Sequence, residues 1–245
     1  MLCMHGSGAH AHWFDFVATG LKQHFHVIAL DQRGHGDSDW AEPPEYSYER
    51  FALDLDELIR KLDLRDFILV GHSMGGTVAL TYAGTHPERI GTLVIVDTVP
   101  RMAPERLAEI KQIGTRRSSG YATRDDLVAR YRLRPDSATT PPQAARYVAE
   151  LSGRECDDGR WRHKFDRRQY ATRQPVDGLA LWSRITVPAL LVCGEYTTRI
   201  TPEAYRAVKE RCPHVVLAKV PASDHHITLD NPAGFVQAVG EFLED

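Results

Sequence analysis

Residues 67–80 read FILVGHSMGGTVAL: an apolar run of strand length, the pattern G-x-S-x-G, and then a helix-forming run. A strand that reverses this sharply into a helix brings its backbone so close at Gly71 and Gly75 that no larger residue fits. Ser73 is thereby held out at the tip of the turn. The helix behind it aims free N–H groups and its positive end at the same point, with the Met74 N–H as the natural donor to a developing oxyanion. A serine before a helix is also an ordinary N-cap. Here the flanking strand and helix favour a nucleophile, and they demand a fold in which a buried strand ends at a sheet edge.

The rest of the chain supplies that sheet. VIALD (27–31), FILVG (67–71), TLVIVD (92–97) and ALLVCG (189–194) are continuous apolar runs, separated by stretches such as FALDLDELIRKL (51–62) and TVALTYAGTHP (77–87). Apolar strands alternating with helices predict an α/β fold whose mostly parallel sheet is covered by helices on both faces. Ligands of such sheets bind at the carboxyl ends of the strands. The alternation stops between Pro100 and Trp182, where PERLAEIKQI (104–113) and PPQAARYVAELS (141–152) have a helical period. The predicted division is a core in two parts, residues 1–100 and 185–245, with an inserted helical cap over 101–184. The cap segment carries 18 Lys plus Arg against 11 Asp plus Glu, a net of +7, while the remainder has 12 against 22 and nets −10. Such a segment either docks on its acidic host or holds an anion over a pocket. The opening MLCMHG leaves four residues before a loop that would follow a full strand. The N-terminal strands are therefore expected to be missing, with poor solubility as the consequence.

A net charge of −3 over 245 residues gives no overall pull toward nucleic acid or an anionic membrane, so neither is an expected partner. Cys3, Cys156, Cys193 and Cys212 fit neither a metal-site spacing nor a dense disulfide framework, which predicts reduced thiols in the cytoplasm. No stretch approaches the roughly 20 apolar residues of a membrane span, and no signal-peptide pattern opens the chain. Nothing in the pattern sets an oligomeric state.

HGSG (5–8), DQRGHGDS (31–38), GHSMGG (71–76), IVDTVP (95–100), GEYTTRITP (194–202) and DHHITLDNPAGF (224–235) resemble the α/β-hydrolase superfamily, in order and spacing, along nearly the whole chain. The resemblance implies an α/β-hydrolase fold with an inserted lid, and a nucleophile, acid and base in the chain order Ser, acid, His. It makes Ser73 the nucleophile. It makes His225, seven residues before Pro232, the base, and leaves His226 structural. The HGSG turn can supply a second oxyanion donor, the Ser7 N–H, with His5 structural. Asp31, Arg33 and Ser38 match a segment that braces the site. One position departs from the pattern: the usual acid, three residues after Gly194, is here Thr197. Some similar hydrolases carry the acid on the neighbouring strand, counted as the sixth, and Asp97 ends that strand here. Glu195 is the alternative acid, and a turn-forming role is the plain reading of Asp97.

The expected reaction is acyl transfer. Ser73 attacks a carbonyl, His225 takes its proton, Asp97 orients the imidazole, and the Met74 and Ser7 amides hold the oxyanion. Each such donor contributes about 3 to 4 kcal/mol to transition-state binding. That chemistry needs no metal and no organic cofactor. A serine at position 73 argues against relatives by fold that use an aspartate nucleophile, haloalkane dehalogenases and epoxide hydrolases. A small-molecule ester, thioester or lactone is the expected substrate. The alternatives are a carbon–carbon bond beside a ketone in a diketone-type substrate, and a ligand-sensing homologue with little turnover. Arg116, Arg117, Arg154, Arg160, Arg162, Arg167 and Arg168 are the candidates to clamp an anionic substrate, and Trp161, Phe165 and Trp182 line a pocket or simply fill a core.

Overall fold

Along each central strand, successive side chains go to opposite faces, and both sets are buried. Leu69, Leu93, Ile95 and Leu191 join one apolar cluster, while Val70, Val94, Val96, Leu190 and Val192 join the other. A sheet buried on both sides leaves no room for polar alternation, which is why the strands read as continuous apolar runs. The structure is a computed structural model that describes residues 1–116 and 119–244.

The strands are β1 (Leu2–Met4), β2 (Ile28–Leu30), β3 (Phe67–His72), β4 (Ile90–Val96), β5 (Gly153–Glu155), β6 (Trp161–His163), β7 (Ala189–Gly194) and β8 (Val216–Val220). Six of them make one sheet in the order β2-β1-β3-β4-β7-β8. Every pairing in it is parallel. The chain runs outward from β1 to β2, then crosses back to β3 and continues the other way. This reversal makes a crevice at the carboxyl ends of β1 and β3.

The helices are α1 (Asp15–Leu21), α2 (Tyr48–Lys61), α3 (Met74–Ala83), α4 (Pro104–Thr115), α5 (Arg124–Ala129), α6 (Pro142–Leu151), α7 (Arg168–Ala171), α8 (Gly178–Trp182), α9 (Pro202–Arg211), α10 (Ile227–Asp230) and α11 (Pro232–Glu244). Helix α2 shows why the sequence folds this way: the Ser47 side chain accepts the Arg50 N–H, and Tyr48, Phe51, Ala52, Leu55 and Ile59 make one buried stripe. Helices α2 and α3 pack on the sheet face that holds Leu69 and Leu93, and α1 and α11 on the other. The α/β-hydrolase fold expected from the motifs is the one observed.

Between residues 101 and 184, helices α4 to α8 accompany an antiparallel pair, β5 and β6, that helical periodicity does not announce. The segment meets the strand-end loops through a short bridge between His35 and Phe165 and a hydrogen bond from the Asp166 N–H to the Gly34 carbonyl, 2.7 Å. Trp182 is fully buried in the main core. Among the described residues, no helix is long and apolar enough to cross a membrane.

Candidate active site

The turn after β3 is as crowded as its glycines suggest. A Cβ on Gly71 would lie 2.4 Å from the Gly75 carbonyl oxygen, and one on Gly75 would lie 2.3 Å from that of Met4. Ser73 itself has φ 55° and ψ −115°, a left-handed backbone that costs about 1 to 3 kcal/mol. Its hydroxyl makes no capping bond to α3, so the N-cap role is not the one it plays. The strained turn is held from behind: the Ser73 N–H donates to the Val96 carbonyl at 2.9 Å, and the Thr98 hydroxyl donates to the Ser73 carbonyl at 3.1 Å.

Parallel register brings Asp97 alongside. His72 pairs with Val96 across β3 and β4, so the next residues, Ser73 and Asp97, leave the sheet edge side by side. Asp97 also has a left-handed backbone, φ 41°, and its N–H donates to Val192 on β7 at 2.8 Å. After β8 the chain returns to the same edge and presents His225, whose Nδ1 lies 2.6 Å from Asp97 Oδ2. Both side chains are buried. With the Nδ1–H donated to the carboxylate, the other ring nitrogen keeps its lone pair.

Burial lowers the His225 imidazole well below its ordinary value, an effect that nearby Arg199 and His226 add to, so the ring stands neutral. Burial also pushes the Asp97 carboxyl up, to about 7, against the opposing pull of the Thr197 hydroxyl and the Arg199 guanidinium. Arg199 Nε lies 3.6 Å from Asp97 Oδ2. Thr197, at the position where the resemblance places an acid, is thus one of the groups acting on Asp97. Glu195 points elsewhere: its Oε2 accepts the Ala222 N–H at 2.8 Å, and the residue is exposed.

Ser73 and His225 both line a cavity of about 490 Å³, together with Ser7, Trp13, Arg134 and Arg173. Ser7 belongs to the turn after β1, and Met74 is the first residue of α3. His226 is turned away from Asp97, its Nε2 donating to the Pro135 carbonyl at 2.8 Å. His5 bonds the Gly6 carbonyl and accepts the Gln32 N–H. Asp31 accepts the Ala11 and Asp37 N–H groups, Arg33 pairs with Asp54, and the Ser38 hydroxyl donates to the Asp31 carbonyl. These last three residues line a separate cavity of about 370 Å³, so what they brace is the loop after β2.

The arginines picked from the sequence are not those at the cavity. Arg162 pairs with Asp158, Arg168 with Glu42 and Asp166, and Arg154 stacks over Trp40. Arg160 donates to the Ser119 carbonyl and lines a different surface hollow with Arg167, and Arg116 is exposed outside the cavity. Arg117 lies outside the described residues. Trp161 and Phe165 likewise do not line the cavity, whose aromatic walls are Trp13 and Tyr170.

Arg173 went unnoticed in the sequence because it follows a one-turn helix with no period to read. It is 8% exposed, and its Nη2 donates to Ser7 Oγ at 2.7 Å, to Gln169 Oε1 at 3.1 Å and toward Met74 Sδ at 3.3 Å. No carboxylate among the described residues pairs with it. A buried cation with only neutral acceptors is an expensive arrangement, and it leaves charge available to an anion in the cavity.

Known proteins share this fold. The model of the alpha/beta hydrolase fold family matches residues 1–232. The 2-(acetamidomethylene)succinate hydrolase of Mesorhizobium japonicum is 30% identical, over all of this chain and 87% of its own length. The crystal structure of an E-2-(acetamidomethylene)succinate hydrolase superposes with a TM-score of 0.87 at 26% identity, covering all of this chain and 91% of that one. An esterase of Mycobacterium tuberculosis is 28% identical over all of this chain and 82% of its own length. Parallel sheet, serine turn, strand-end acid and matched relatives converge: the chain is an enzyme of the alpha/beta hydrolase fold family.

Proposed function

We propose that the protein is a serine acyl hydrolase acting on a small ester, thioester or lactone that carries a carboxylate. The observation that carries the reading is the buried Asp97–His225 pair, 2.6 Å apart, at the cavity that Ser73 enters from its strained turn. Ser73 Oγ attacks the carbonyl carbon while His225 Nε2 takes the hydroxyl proton, and the resulting imidazolium is stabilised by Asp97. The Met74 and Ser7 N–H groups receive the oxyanion. The tetrahedral intermediate expels the alcohol or thiol, which collects the proton from His225. Water, deprotonated by the same nitrogen, then attacks the acyl-enzyme and releases the acid. Residues 101–184 serve as a cap over this cavity, between core parts 1–100 and 185–245.

The anionic part of the reading rests on Arg173, with exposed Arg134 at the cavity as a second cation. Relatives whose names specify a succinate (30% identical) and, in Bacillus subtilis, a cyclohexadiene carboxylate (29% identical) accord with an acidic substrate. The test is a panel of esters matched in size, half with a carboxylate on the acyl chain, run beside a fluorophosphonate label. Labelling lost in Ser73→Ala and faster turnover of the charged members support the reading. An unlabelled folded protein overturns the nucleophile, and equal turnover of charged and neutral members overturns the anion.

A further inference from the structure

We infer that His72, His225 and His226 form a binding site for a borderline-soft divalent transition metal, typified by Zn²⁺, whose occupancy switches the enzyme off. One ring nitrogen from each of the three lies within 4.8 Å of the other two. All three rings are buried.

The hydrogen bonds around the cluster set the tautomers. His72 Nε2 donates to the His225 carbonyl at 2.8 Å, His226 Nε2 to the Pro135 carbonyl at 2.8 Å, and His225 Nδ1 to Asp97 at 2.6 Å. Each ring therefore spends its one N–H on a fixed oxygen and keeps one nitrogen as a bare lone pair. Backbone carbonyls and carboxylates in this role are the usual supports of metal-binding histidines. His226 Nδ1 is a buried lone pair with no partner, in a residue 1% exposed. Buried polar atoms are seldom left unmatched, so this one calls for an occupant.

Tetrahedral Zn²⁺ at about 2.0 to 2.1 Å from each nitrogen sets the nitrogens about 3.4 Å apart. The 4.8 Å within which one nitrogen of each ring lies would therefore contract on binding. All three histidines line the cavity, so the fourth ligand would be water or a substrate carboxylate. Three imidazoles select Zn²⁺, Cu²⁺, Ni²⁺ or Co²⁺ and offer nothing to Mg²⁺ or Ca²⁺, which want oxygen. Metal binding itself is independent of the hydrolase reading. The inhibition rests on it, since the lone pair taken at His225 Nε2 is the one the base uses.

Two measurements separate these parts. Co²⁺ added to metal-free Ser73→Ala protein should give visible d–d absorption saturating at one equivalent, and Zn²⁺ should displace it. On wild-type protein, Zn²⁺ should abolish ester turnover, chelation should restore it, and Mg²⁺ at tenfold higher concentration should have no effect. His226→Gln and His72→Gln should each raise the Zn²⁺ concentration for half-inhibition at least 30-fold, relative to that variant's own metal-free rate. Cys156→Ser, which removes the half-buried thiol, should leave the Zn²⁺ response intact. Undiminished inhibition in both histidine variants, or its loss in Cys156→Ser, overturns the site. A one-equivalent Co²⁺ spectrum in a protein that turns over no ester keeps the metal site and overturns only the hydrolase reading.

Discussion

Two regions meet at the cavity and are built on different terms. The strand-end residues are fixed by the backbone ladder itself: Ser73 and Asp97 follow the register pair His72 and Val96, and each is pinned by an N–H bond to the neighbouring strand. Arg173 belongs to residues 101–184, follows the four-residue helix α7, and keeps its place through Ser7, Gln169 and Tyr170. Placement by a six-stranded parallel sheet can be lost only with the fold. Placement by a few side-chain contacts can be lost with one substitution. On the proposed function, bond-breaking chemistry would sit on the first kind of support and charge selection on the second.

That contrast is open to attack in a definite order. Ser73→Ala should lower kcat by about 10⁶-fold, read by single-turnover ester hydrolysis, with the fold intact by circular dichroism. Asp97→Asn should cost about 10⁴-fold. Glu195→Gln should change kcat by less than about twofold, as for other exposed groups, and a large loss there would undo the strand-end account of the acid. Arg173→Met should reduce kcat/KM about 10²-fold for a carboxylate-bearing ester and leave its neutral partner within a few fold. An equal fall for both esters would make Arg173 a prop for the Ser7 loop.

Acidification should act on the strand-end side. Asp97 is raised to about 7, so its charged form, which supports the imidazolium, is present above that pH and disappears below it. The value of kcat/KM should be level above about pH 7 and fall about tenfold per unit beneath it, as an apparent property of the Asp97–His225 pair. Asp97→Asn should remove that limb from what activity remains. The smallest effects belong to the paired or exposed arginines. Arg154→Ala, Arg160→Ala and Arg162→Ala should each alter kcat/KM by less than about threefold.

How much of this the sequence announces follows the same division. Apolar strands, paired glycines and the spacing from His225 to Pro232 are local patterns with a backbone cause, and they place Ser73, Asp97 and His225 at one edge of one sheet. The preference for Asp97 over Glu195 is readable because one ends a strand and the other begins an exposed loop. Cap chemistry has no such grammar. Arg160 and Arg173 look alike in the chain, and which one faces a cavity depends on how short elements such as β5, β6 and α7 pack. The three-histidine cluster is equally hidden, since His72 and His225 are 153 residues apart and meet only through the return of β8 to the sheet edge.

Asp230 has a consequence for substitution. Its Oδ2 accepts the Asp224 N–H just before His225, and its Oδ1 takes the hydroxyls of Thr140 and, at 3.4 Å, Ser137. One buried carboxylate thus fastens the loop of the base to residues 137–140, and a change at either end leaves it short of donors. Substitution at position 137 or 140 would therefore reach the loop that carries His225 as well. Position 173 is held differently: its contacts are to Ser7, Gln169, Met74 and Tyr170, and none is to the Asp97–His225 pair. Within residues 101–184, some side chains are thus tied to the His225 loop and others only to the cavity wall.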